Sequence, residues 1–131
     1  DGPELRARLA ALGLPGVRFA AAYFEPGYSK HAGSFCGGAM LDIADERAFK
    51  PLLAGIAILK TLRDCEPGRF AWLSFERSPG GPSRYAIDNL AGGGDLRELI
   101  DAGASLARIY EWATAGEDGF RRSRSPYMLY D

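Results

Sequence analysis

The sequence predicts an α+β fold, a small mixed and barrel-like sheet packed by three to four helices, on three observations. The chain has 131 residues, the usual size of one domain and enough to bury a core without metal or disulfide staples. Val17 to Phe24 and Ala39 to Ile43 carry β-branched, aromatic and alternating residues between Gly and Pro breaks. Leu5, Leu9 and Leu12, and later Leu52, Leu53, Ile56, Leu59 and Leu62, recur at helical spacing.

The first helix follows Pro3, and Gly13 is placed to end it. Leu14-Pro15-Gly16 turns the chain into the strand Val17 to Phe24. A loop rich in Gly and Ser reaches Gly37-Gly38, and the strand Ala39 to Ile43 sets Met40 and Asp42 on one face and Leu41 and Ile43 on the other. Asp45 is a candidate cap for a short turn, and Pro51 suits the first turn of a helix from about Lys50 to Cys65. Glu66-Pro67-Gly68 stops it, and Phe70 to Phe75, with Trp72, reads as a strand. Glu76 to Ser83, with Pro79-Gly80-Gly81-Pro82, reads as an irregular loop.

Tyr85 to Leu90 leads to the bend Gly92-Gly93-Gly94 and a short helix that Asp95 is expected to cap, with Leu96, Leu99 and Ile100 apolar. The three glycines are no phosphate loop, because the Lys-Ser/Thr ending and the dinucleotide fingerprint are both missing. Ser105 is placed to cap a last long helix with the stripe Leu106, Ile109, Tyr110, Trp112 or Ala113, and Phe120. Arg121, Arg122 and Arg124 suit the negative end of that helix's dipole. Tyr127 to Tyr130 reads as an apolar, strand-forming tail.

A net charge of −1 from 16 basic and 17 acidic residues offers no footprint for nucleic acid. No apolar run reaches the roughly 20 residues of a membrane span, so a soluble domain is expected. The chain opens at Asp1 without an initiator Met or signal pattern and is expected to be a processed or excised piece. Cys36 and Cys65 are expected to be separate thiols, and with His31 the only histidine no metal site is expected. No cofactor is expected either.

The most informative stretch is Tyr23 to Gly38, where aromatic rings, a hydroxyl, an ammonium and an imidazole sit among glycines that allow close backbone approach. That is the composition of a wall for a sugar or small polar ligand. The residues alone leave a plainer reading open: a tightly turned loop with Tyr28 and Phe35 in the core and Lys30 in solvent.

Phe24-x-Pro26-x-Tyr28-Ser29-Lys30-His31-x-Gly33-x-x-Cys36-Gly37-Gly38 resembles the signature of the C-terminal domain of the NamZ/YbbC family. The likeness extends through Leu14-Pro15-Gly16-Val17-Arg18-Phe19, Ala48-Phe49-Lys50-Pro51, Ile87-Asp88 and Ser125-Pro126-Tyr127-Met128-Leu129-Tyr130. The resemblance implies the C-terminal domain of a two-domain glycosidase, whose Rossmann-like N-terminal domain is absent from residues 1–131. It implies a peptidoglycan exo-β-N-acetylmuramidase that removes non-reducing-end N-acetylmuramic acid, and so an extracytoplasmic setting. On that basis Tyr23, Tyr28, Ser29, Lys30, His31, Cys36, Gly37 and Gly38 are expected to form the substrate-binding set.

Glycoside hydrolysis usually needs two carboxylates or a substitute across the scissile bond. Glu25 is the only carboxylate in the motif, at a position where relatives more often carry an uncharged residue, while Asp42, Asp88 and Glu111 read as strand-face, turn and helix-surface residues. The catalytic acid is therefore expected in the missing domain. The alternatives are a stand-alone, non-catalytic domain binding muropeptides or a protein, and a thiol enzyme using Cys36 and His31.

Overall fold

The structure is a computed structural model that describes residues 1–76 and 83–130. The expected loop around Pro79-Gly80-Gly81-Pro82 lies outside the described residues. The chain divides into two compact units, Asp1–Phe70 and Ala71–Asp131.

The first unit runs α1 (Gly2–Ala11), β1 (Val17–Phe24), β2 (Cys36–Ile43) and α2 (Pro51–Cys65). Pro3 lies in the first turn of α1, and Gly13 follows its end with φ +59°, a left-handed value that suits glycine. β1 and β2 pair antiparallel from Val17 opposite Ile43 to Phe24 opposite Cys36. The second strand starts three residues before the expected Ala39, because Cys36, Gly37 and Gly38 complete the ladder opposite Phe24, Tyr23 and Ala22.

Gly16 closes the base of this hairpin. Its carbonyl accepts from the backbone N–H groups of Ala44 (2.9 Å) and Asp45 (3.2 Å). Asp45 caps the following turn as expected, its Oδ1 accepting from the N–H of Arg47 at 2.9 Å and of Ala48 at 3.3 Å.

In α2 the buried positions are Ala54, Ile56, Ala57 and Thr61, while Leu52 is 51% exposed. Of the expected stripe, Ile56 is buried, Leu53, Leu59 and Leu62 are half-buried, and only Leu52 is exposed, while the fully buried face is centred on smaller residues. Ala54, Ala57 and Thr61 follow the i, i+3, i+7 spacing of one helix face, and small side chains there permit close approach.

The second unit contains β3 (Ser74–Glu76), β4 (Ser83–Tyr85), α3 (Ala86–Ala91), α4 (Asp95–Asp101), α5 (Leu106–Thr114) and α6 (Glu117–Arg124), then a 3-10 turn at Ser125–Tyr127. β3 and β4 pair antiparallel. The α+β class stands, and the described ladders are two separate antiparallel pairs with no barrel closure among them.

The expected strand Phe70 to Phe75 is confined to Ser74–Glu76. Trp72, just before it, donates its indole N–H to the Asp101 carboxylate at 3.0 and 3.1 Å. Asp95 does not cap α4; Gly94 occupies that position and Asp95 lies within the first turn, where its charge suits the dipole. Ser105 does cap α5, its Oγ accepting from the Arg108 N–H at 3.2 Å. The expected long last helix breaks at Ala115-Gly116, and Phe120 beyond the break is 65% exposed rather than inward. Arg121, Arg122 and Arg124 fall in the last turn of α6 as expected. The tail is a 3-10 turn and exposed coil instead of a strand, and it has no partner strand among the described residues.

Leu96, Ile100 and Ile109 are buried at 8, 1 and 0%. The Gly-rich bend is fixed by Arg97, whose guanidinium donates to both oxygens of Asp88 (Nε–Oδ1 2.9 Å, Nη2–Oδ2 3.1 Å) and lies 4.2 Å from the centre of the Tyr85 ring. A Cβ at Gly94 would stand 3.0 Å from Arg97 Nη2, so this glycine makes room for the pair. Asp88 therefore sits in the first turn of α3 and ties that helix to α4, rather than lying in a turn.

Candidate functional site

The motif Tyr23 to Gly38 is the tip of the β1–β2 hairpin. Tyr23 and Phe24 end one strand, Cys36 to Gly38 begin the other, and residues 25–35 connect them. The Gly33 N–H donates to the Pro26 carbonyl at 3.0 Å and narrows the mouth of this connection. Beyond that bond the chain turns twice, with Ala32 N–H on the Ser29 carbonyl (3.4 Å) and Ser34 N–H on the His31 carbonyl (2.9 Å).

Ser29 and His31 hold φ values of +67° and +60°, and Gly33 holds +71°. Left-handed backbone costs an ordinary L-residue roughly 1–2 kcal/mol, so the alternation at Ser29 and His31 is a strained arrangement. It displays Tyr28, Ser29, Lys30 and His31 as an exposed crest, with Tyr28 85% exposed. None of the four side chains makes a hydrogen bond or ion pair within the described residues.

Below the crest, Tyr23 and Phe35 stack with ring centroids 5.7 Å apart and an interplanar angle of 6°. Phe35 is 78% exposed, so neither it nor Tyr28 is the core residue that the plainer reading supposed. Cys36 is half-buried with a free thiol that donates to the Ser34 carbonyl at 3.5 Å, and Cys65 is free as well. The structure thus brings Tyr23 together with Phe35 and Gly37, sets residues 28–31 side by side on the crest, and turns Cys36 toward its own strand entry.

The two glycines differ. A Cβ at Gly37 would meet Cε1 of Tyr23 at 3.3 Å, whereas one at Gly38 would meet nothing within 4 Å. The close approach lies on the other side of that contact, at Gly2, whose Cβ would stand 2.9 Å from the Gly38 carbonyl oxygen. Gly38 is therefore not a backbone requirement through its own missing side chain. Only a tertiary contact reveals Gly2, which carries no sequence signal.

Glu25 is exposed beside the crest. Asp42 faces Arg18 across the hairpin at 3.9 Å, and Glu111 pairs with Arg108 at 3.1 Å on the surface of α5, as their strand-face and helix-surface readings require. Among the described residues no group of three or more His, Cys, Asp and Glu could hold a metal ion, and no helix is long and apolar enough to cross a membrane.

The second unit holds a concavity of about 440 Å³ lined by Asp95, Glu98, Leu99, Ala102 and Trp112. Sequence reasoning placed Trp112 in an inward stripe and missed this feature. The available signal was Asp95 and Glu98, three residues apart and so on one face of a helix.

The hairpin crest of this α+β chain thus offers a hydroxyl, an ammonium, an imidazole and aromatic rings to solvent. The family described as exo-beta-N-acetylmuramidase NamZ, C-terminal, matches residues 1–130, and the chain belongs to that family. It is 35% identical over 127 residues to the peptidoglycan beta-N-acetylmuramidase NamZ of Bacillus subtilis (strain 168), covering 97% of this chain and 28% of that protein. The crystal structure of a DUF1343 family protein from Bacteroides fragilis shares the fold, with a TM-score of 0.80 at 20% identity over 100% of this chain and 33% of its own. The chain spans about a third or less of the length of these relatives.

Proposed function

We propose that this chain is the substrate-cleft domain of an exo-β-N-acetylmuramidase that releases N-acetylmuramic acid from the non-reducing ends of peptidoglycan fragments. The observation that carries the reading is the crest, where strained backbone at Ser29 and His31 holds exposed polar groups without partners among the described residues. Strain of this kind persists where the surroundings over-determine it, and it clusters at ligand-binding sites.

In this reading Ser29 and Lys30 take the lactyl carboxylate of muramic acid, Lys30 as a point charge and Ser29 as a hydrogen-bond donor. His31 donates to a sugar hydroxyl or to the acetamido carbonyl. Tyr23 and Tyr28 offer ring faces and phenol tips to the sugar, Gly37 leaves room for the Tyr23 ring, and Cys36 and Gly38 hold the strand entry behind them. In this reading the acid chemistry belongs to a Rossmann-like domain preceding this chain in an extracytoplasmic protein, since among the described residues Glu25 is the only carboxylate in the motif.

The test is release of N-acetylmuramic acid from a chromogenic muramide by the full-length protein. Ser29→Ala and Lys30→Ala should each lower kcat/KM by about 10-fold or more, the scale of one lost charged hydrogen bond. An unchanged kcat/KM in both variants would sink the cleft assignment.

A further inference from the structure

We propose that the C-terminal segment from Phe120 to Tyr130 is a docking strap for the domain preceding this chain, received there by an apolar groove with a carboxylate rim. The proposal rests on the reading above that such a domain exists. Tyr127, Met128, Leu129 and Tyr130 are 84, 53, 86 and 84% exposed, four large apolar residues in succession, and Phe120 one helix away is 65% exposed. Leu9, Ile100 and Ile109 of the same chain are at most 1% exposed, so apolar cover is available elsewhere and withheld here. A contiguous apolar run left in water marks an interaction surface.

Charge completes the pattern. Arg121 is paired to Glu117 at 2.6 Å and Arg124 lies 5.8 Å from the centre of the Phe120 ring, while Arg122 has no partner within the described residues. Tyrosine, methionine and arginine together are the residues enriched in protein interfaces, and an unengaged arginine asks for a carboxylate.

Two observations choose the occupant. The match to the Bacillus subtilis relative covers 97% of this chain but 28% of that protein, so most of the relative lies outside the matched part. A second copy fits poorly, because residues 120–130 carry three arginines and no carboxylate, so a contact between two copies of this segment would put like charge on both sides. A tether through the same polypeptide, by contrast, raises the effective concentration to the millimolar range, so a strap of this size suffices.

Limited trypsin digestion of the full-length protein, read by mass spectrometry, tests this at Arg122 and Arg124. Cleavage there should be at least ten times slower in the natural protein than in a Leu129→Asp/Tyr130→Asp variant, with Leu129→Ala intermediate and all three proteins monomeric by sedimentation. Equal cleavage of all three, or protection that tracks dimer formation, overturns the proposal. Muramide turnover on the same samples separates the two readings. A protected strap without sugar release leaves the docking surface and sinks the muramidase, whereas sugar release with an unprotected strap does the reverse.

Discussion

Tyr23 and Phe35 lie ring over ring at 5.7 Å, one at the end of β1 and the other immediately before β2, so the stack joins the two stems of the hairpin loop where the ladder stops. A stacked aromatic pair contributes about 0.5–1.5 kcal/mol beyond the area it buries. Phe35→Leu should therefore lower unfolding stability by about 1 kcal/mol, and a double-mutant cycle with Tyr23→Leu should return a coupling of that size in urea denaturation. Independent, additive losses would show that the rings merely lie near each other.

The left-handed backbone at Ser29 makes a second prediction with opposite signs for two substitutions. Ser29→Gly removes the steric cost of φ +67° and should be neutral or stabilising by up to about 1 kcal/mol, because the relief competes with glycine's larger unfolded-state entropy. Ser29→Val places a β-branched residue in the same conformation and should destabilise by about 1–2 kcal/mol. Both should impair turnover of a muramide, since both delete the hydroxyl. Equal stability of the two variants would mean that the loop relaxes freely.

The hairpin was legible because its residues announce it locally: Val17 to Phe24 lies between Gly16 and Pro26, and the observed strand has those bounds. Its tip stood out by composition and by the family likeness, and the structure shows residues 28–31 exposed there. Several features escaped for one shared reason, dependence on tertiary partners. The most buried face of α2 adds Ala54, Ala57 and Thr61 to the expected Ile56 and leaves Leu52 outside, since burial rewards fit as well as hydrophobicity. The break at Gly116 interrupts an apolar period that runs on in the sequence, and among the described residues the tail lacks the neighbouring strand its pattern calls for. The positive φ at Ser29 had no signal and that at His31 only the weak one of histidine's modest enrichment there, far below what a glycine gives.

Arg97 should tolerate lysine poorly. Its guanidinium donates to both oxygens of Asp88 while lying over the Tyr85 ring, a planar fork geometry that an ammonium cannot reproduce. Arg97→Lys should lower the midpoint of urea unfolding without changing the slope. The hydrogen bond to Asp88 is the main cause that raises the Arg97 pKa above the ordinary guanidinium value, against the effect of desolvation. A raised folded-state pKa contributes stability that is fully present below the unfolded pKa and is lost only as pH rises through the folded one. Titration of Arg97 should therefore leave the difference between natural protein and variant constant from pH 6 to pH 9. A difference that shrinks toward pH 9 would contradict the assignment.

Gly16 should be the least replaceable glycine of the first unit. It combines φ +69° with a Cβ direction that runs into the backbone, 2.5 Å from the Phe49 nitrogen and 2.8 Å from the Phe49 Cα. Neither neighbour is the flexible end of a side chain, so relief requires the hairpin base and the turn before α2 to separate. That separation would also lengthen the bonds from the Ala44 and Asp45 N–H groups to the Gly16 carbonyl. Backbone strain of about 1–2 kcal/mol and overpacking of about 1–3 kcal/mol add in the same direction, so Gly16→Ala should cost about 3 kcal/mol. Gly13→Ala, also left-handed at φ +59° but with nothing within 4 Å of its Cβ, should cost only the backbone part. Thermal unfolding of the two variants side by side measures the difference, and equal losses would show that conformation alone, without the contact to Phe49, sets the requirement at Gly16.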